Sequence, residues 1–168
     1  APRRRSRPAK TLTTPAPDRA ALRPILEAGV RVPDHGKLEP WRLVVLEKPA
    51  LERLAKLAAT RGTEIGIEAD KLPKGVSQFE QSPLCVAVIY SPRDTSKVPE
   101  IEQILSAGSV CLSLVNAALA AGWGASWLTG WVAHDLRFAT EAFGLEPGES
   151  VREALAAHPL PRRKTAAV

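Results

Sequence analysis

The sequence is poor in several residue types, and each shortage excludes something. Methionine is absent altogether, so the chain reads as a processed product or a fragment. Only two cysteines occur, Cys85 and Cys111, both inside apolar segments, where they read as buried free thiols. The three histidines, His35, His134 and His158, stand far apart and offer no metal-ligand spacing. No strand signal runs into a glycine fingerprint, so the Rossmann and P-loop classes lack support. The basic N-terminus is followed by no apolar stretch, so nothing there resembles a signal peptide, and the protein is expected in the cytoplasm. A long, largely apolar stretch without charge runs from Ile104 to Gly122. It carries Ser106, Gly108, Ser109, Ser113 and Asn116, with Glu100 and Glu102 just before it. That mixture suits a helix buried on most sides of a globular core better than a membrane span.

What is present fits one domain of ordinary size: 168 residues, 45% hydrophobic and 24% charged. The net charge of +5 is unevenly placed. Arg3, Arg4, Arg5, Arg7 and Lys10 crowd the first ten residues without an acid. Arg152, Arg162, Arg163 and Lys164 face only Glu153 at the other end, which leaves the body between them acidic. A nucleic-acid-binding surface needs its positive charge on a folded face.

Residues 1–17 read as an extended basic arm, residues 18–151 as the folded domain and residues 152–168 as an atypical tail. Asp18 can cap a helix to about Val30, striped by Leu22, Ile25, Leu26 and Val30, although Pro24 lies inside it. Leu43–Leu46 reads as a buried strand, and a helix follows from Pro49 to about Thr60. Residues 61–82 read as polar, weakly helical and exposed. The continuous apolar run Leu84–Tyr90 is the strongest strand signal, and the long helix from about Pro99 to Ala121 comes next. A short strand over 125–128 and a helix over 133–143 complete the domain. Helices alternating with isolated strands predict an α/β or α+β sandwich.

Three segments could carry chemistry. Arg4-Arg5-Ser6 offers two guanidinium groups and a hydroxyl to a phosphate, although a solvated basic tail is the plainer reading. The loop from Arg31 to Trp41 combines His35, Lys37, Glu39 and Trp41, more than a connector requires; a proline-pinned turn is the alternative. The segment Gly122–Trp131 brings three tryptophans together with glycines, suiting close approach of a flat ring, or else aromatic core packing.

Taken together and in order, these segments resemble the FMN-dependent nitroreductase family, in its compact NAD(P)H nitroreductase branch. The likeness rests on Arg4-Arg5-Ser6, then Pro33-Asp34-His35 leading to Pro40-Trp41. Lys97-Val98-Pro99, Glu102-Gln103 and Ser106-Ala107-Gly108 follow, and the Gly-Trp-Gly and Trp-Leu-Thr-Gly segment closes it. It covers about residues 3 to 151. The resemblance implies an α+β fold, a helix-flanked antiparallel or mixed central sheet, in a homodimer holding each FMN in a cleft between subunits. It implies FMN contacts at Arg4, Arg5 and Ser6 (chiefly the phosphate), Arg31 and His35. Trp127, Leu128 and Thr129 would lie along the isoalloxazine, with Gly130 near its reactive nitrogen. Ala117, Ala118, Leu119, Ala120, Ala121 and Gly122 match a stretch assigned to the nicotinamide nucleotide. The implied mechanism is ping-pong: NAD(P)H gives a hydride to the flavin and leaves, and a small-molecule oxidant takes its place. No side-chain nucleophile or base is required.

Both ends depart from the family pattern, and Glu39 stands where glutamine is frequent. Only Ala1-Pro2-Arg3 precede the Arg-Arg-Ser motif. Arg152–His158 reads as a helix where an apolar strand is expected, which puts the C-terminal strand of the sheet in question and suggests a frameshifted or truncated end. Three functions therefore compete: an FMN oxidoreductase acting on nitroaromatics or quinones, a flavin-binding remnant without turnover, and a nucleic-acid binder using the arginine-rich arm. The charge split disfavours the last, because the arm offers few ordered phosphate contacts.

Overall fold

The computed structural model describes residues 14–159, with backbone alone from residue 152 onward. Its organising element is β2 (Cys85–Tyr90), the unbroken apolar run, whose six residues are all buried. A strand apolar on both sides must be covered on both sides. Cys85, Ala87 and Ile89 enter one core; Val86 and Val88 enter another. The first core is closed by α2 (Lys48–Glu64), α3 (Leu72–Glu80), α5 (Trp131–His134) and α6 (Leu136–Phe143). The second is closed by α1 (Arg19–Gly29) and α4 (Glu100–Ala120). Between them lies an antiparallel sheet in the order β1-β2-β4-β3, with β1 spanning Trp41–Leu46, β3 Trp123–Leu128 and β4 Ser150–Pro159. This is the expected α+β architecture, in three layers.

Local chemistry explains most of the boundaries. Asp18 caps α1 by accepting the Ala21 N–H at 2.8 Å. Pro24 is tolerated because it and Ala20, the residue whose carbonyl loses its helical partner, both face solvent. β1 is an edge strand with Val45 exposed, not the buried strand its composition suggests. Residues 61–82 are more ordered than their polarity implies. Four belong to the end of α2 and nine to α3, and Gly75, Phe79 and Ser82 are buried. The helix expected over 133–143 breaks at Asp135, which caps α6 through Phe138 N–H at 2.7 Å and binds Arg61 at 2.9 and 3.0 Å.

The largest correction concerns Arg152–His158, which is strand and not helix. β4 lies inside the sheet, with Cys85 opposite Ala156 on one side and Ser126 opposite Ala156 on the other. Two waiting strand edges supply partners for both rows of backbone groups, and that outweighs the helical preference of Ala154, Leu155, Ala156 and Ala157. The C-terminal strand of the sheet is therefore present.

α4 is long and apolar enough to cross a membrane by length and composition, yet Val110, Leu114, Val115 and Ala118 pack into the second core. It is less enclosed than its sequence suggests. Ile101, Leu105 and Leu112 are 59%, 63% and 54% exposed.

Candidate functional site

The segment between α1 and β1 is held in an unusual conformation. His35–Lys37 form one turn of 3-10 helix, and φ is positive at Gly36 (75°), Lys37 (54°) and Glu39 (47°). Two of these residues carry a Cβ, so neighbours must maintain the backbone there. Asp34 Oδ2 accepts the Glu39 N–H at 2.8 Å, and Arg93 Nε and Nη2 donate to the carbonyls of Leu38 and Glu39 at 3.1 and 3.3 Å. His35 Nδ1 donates to Glu102 Oε2 at 2.7 Å. Arg31 and Lys37 line a cavity of about 640 Å³ with Asp34, Glu39 and Trp41. Two cations and a tryptophan face two carboxylates there, so the cavity is polar without a single dominant sign.

A second cavity, of about 240 Å³, lies where β3 ends. Thr129, Gly130 and Trp131 line it opposite Lys71, Lys74 and Gln78 from α3 and the residue before it. Trp131 packs edge-on to Phe138 at 6.0 Å, and its indole fills the space that side chains at Gly62 and Gly75 would need. Its Nε1–H is buried and has no hydrogen-bond partner among the described residues. Lys71 and Lys74 are tied to Glu68 and Asp70 at 2.9 and 3.1 Å, and hydrogen bonding to Glu68 raises the Lys71 ammonium above its ordinary range. A flat aromatic wall and two ammonium groups suit a flat ring edged with carbonyl oxygens. The residues fit an isoalloxazine.

The remaining expected residues divide. Arg4, Arg5 and Ser6 lie outside the described residues. Trp127, 36% exposed, and Leu128 alternate along β3 and so face opposite sides of the sheet. Trp123 packs against the second core and Trp131 against the first, which assigns core packing to two of the three clustered tryptophans. Ala118 is closed into the core, Ala117 and Leu119 are half-buried against it, and Ala120, Ala121 and Gly122 are exposed. That stretch sits at the opposite end of β3 from Thr129, about 20 Å away for a six-residue strand. The two cavities share no lining residue, and they follow from opposite edges of the sheet, β1 and β3. Sequence reasoning missed Lys71, Lys74 and Gln78, because their segment read as solvated surface. A glycine inside a helix, Gly75, was the available signal of close approach.

A sequence model of the nitroreductase family matches residues 2–157. A Haemophilus influenzae protein provisionally named an NAD(P)H nitroreductase is 38% identical over 125 residues, 73% of this chain and 68% of that one. The crystal structure of a nitroreductase-like family protein from Bacillus cereus superposes with a TM-score of 0.73 at 20% identity, covering 98% of this chain and 86% of that one. The FMN-dependent nitroreductase NfnB from Mycobacterium smegmatis, solved in complex with NADPH, gives a TM-score of 0.73 at 14% identity over 92% of this chain and 83% of that one.

Proposed function

Because the chain belongs to the nitroreductase family, we propose that it is a cytoplasmic FMN-dependent NAD(P)H oxidoreductase. In this reading it works as a homodimer and reduces nitroaromatic or quinone-type acceptors. The observation that carries it is the cavity beside Thr129 and Gly130, with Lys71, Lys74 and the Trp131 indole on its walls. The chemistry a bound FMN supplies is two-electron transfer, first from NAD(P)H and then to the acceptor. This chain's residues hold and tune it. Lys71 and Lys74, partly offset by Glu68 and Asp70, would bring positive charge that favours the reduced, more negative flavin. Trp131 would wall the ring from water. Arg4, Arg5 and Ser6 take the phosphate, with Arg31 and His35 as further contacts. The exposed turn Ala120–Gly122 is the part of the nicotinamide stretch free to touch a nucleotide.

Two observations support a cleft shared between subunits. Arg31, on the loop that carries His35, and the Thr129–Lys74 group line separate cavities in one chain. The exposed apolar residues Ile101, Leu105 and Leu112 of α4 give a surface suited to a second copy.

The test is the visible spectrum of the purified protein, followed by anaerobic addition of NADPH. A flavin band that bleaches, and NADPH oxidation on adding menadione or a nitrofuran, are the expected outcomes. A protein that stays colourless when FMN is supplied sinks the proposal, and a flavin band that NADPH leaves untouched reduces it to a flavin binder.

A further inference from the structure

The first two turns of α4 hold the 33–39 loop at three points. Ser106 Oγ donates to the Pro33 carbonyl at 2.9 Å. Gln103 grips the Arg93 backbone, accepting its N–H at 2.8 Å and donating to its carbonyl at 3.0 Å, and Arg93 in turn holds Leu38 and Glu39. Glu102 takes His35 itself, through Nδ1 at 2.7 Å. All this hardware serves a loop whose histidine side chain is nevertheless 63% exposed. An exposed His–Glu pair adds little to stability, so its consequence is better sought in geometry.

We propose that Glu102 is a positioning residue that fixes the orientation and tautomer of His35, so that Nε2 is the nitrogen presented to the flavin cleft. The proposal rests on the functional reading above. With its hydrogen on Nδ1 and donated to Glu102, the imidazole has Nε2 across the ring, directed away from α4. Free imidazole in water favours the opposite tautomer, with the hydrogen on Nε2. The carboxylate therefore selects the form whose outward nitrogen can accept a hydrogen bond. Asp34 and Arg93 hold Lys37 and Glu39 in their strained backbone conformation and so keep the loop from relaxing away from that arrangement.

The experiment uses the full chain and two readouts. Nitrogen NMR of labelled histidine reports the His35 tautomer, and flavin fluorescence quenching reports the FMN Kd. The wild type is expected to carry the hydrogen on Nδ1, and Glu102→Ala to move it to Nε2. Glu102→Ala and His35→Ala should each weaken FMN about tenfold, the scale of one hydrogen bond to a charged group. Glu102→Gln, which keeps an acceptor, should lose less, and the double variant should be no weaker than His35→Ala alone. An unchanged tautomer, or a Glu102→Ala loss that persists undiminished once His35 is gone, overturns the positioning role. Wild-type protein that takes up no FMN overturns the functional reading and this role together, whereas normal uptake with additive losses overturns this role alone.

Discussion

At the scale of single residues, the strongest electrostatic feature is the pair Arg42–Glu149. Arg42 Nε and Nη2 grip the carboxylate at 2.9 and 2.7 Å, and Nη2 also donates to the Gly144 carbonyl at 2.9 Å. Glu149 is buried, and it also accepts the Glu146 N–H at 3.0 Å. Hydrogen bonding from Arg42 outweighs desolvation and brings the Glu149 carboxyl down to about 2 from 4.5. The folded value lies below the unfolded one, so the stabilisation is fully present above pH 4.5 and is lost as pH falls towards about 2. Glu149→Gln should therefore be less stable than wild type at neutral pH and should converge with it across that acid window, as measured by urea unfolding at a series of pH values. A constant difference between the two proteins down to pH 2 would mean that the pair contributes shape and not charge. None of this was visible in sequence, where Arg42 and Glu149 are 107 positions apart.

At the scale of elements, the contact of α1 with α4 turns on Gly29. A Cβ there would run into the Leu114 side chain, with Cγ at 2.7 Å and the Leu114 backbone at 3.3 Å. Leu114 is fully buried and cannot swing clear. Alanine would gain up to about 1 kcal/mol in helix propensity, but overpacking a dense core costs about 1–3 kcal/mol, so Gly29→Ala should destabilise on balance. Adding Leu114→Ala should then cost less than it does alone, a non-additivity that urea unfolding of the four proteins would measure. Strictly additive costs would mean that the helices separate freely. The elements that sequence made legible, α1, β2 and α4, are those where one strong local signal agrees with the tertiary outcome: a cap, an apolar run, a long charge-free stretch. The misreadings share a cause. β4 is a strand because of its neighbours β2 and β3, α3 is ordered because Trp131 lies against it, and α5 and α6 part where Asp135 finds Arg61. The candidate site divides the same way. Its loops were legible as glycine- and aromatic-rich segments, whereas Lys71, Lys74 and Glu102 take on meaning only when the fold brings them to those loops.

At the scale of the whole molecule, the proposal stands or falls on whether a flavin cleft draws on two chains. A single chain offers two partial sites. Arg31 and His35 lie before β1, at one edge of the sheet, while Thr129, Gly130, Lys71 and Lys74 gather where β3 ends at the other. The exposed residues Ile101 and Leu105 flank Glu102 in the very turns of α4 that clamp the first of these sites. Contact between copies along that face would therefore bear directly on the His35 loop. In a two-fold dimer each cleft would take the His35 side from one subunit and the Thr129 side from the other. That arrangement has a consequence no one-chain site shares. Arg31→Ala/His35→Ala damages one half of every cleft, and Lys71→Ala/Lys74→Ala damages the other, so either protein alone should bind FMN poorly. Co-expressed under two different tags and purified as the mixed dimer, the pair should build one cleft with both lesions and one with neither. About half the wild-type number of tight FMN sites should return, as a two-fold dimer requires. If each cleft were built from one chain, both clefts of the mixed dimer would stay damaged and no tight binding would reappear. Stoichiometric FMN titration of the mixed dimer, beside the two parent variants, distinguishes these outcomes.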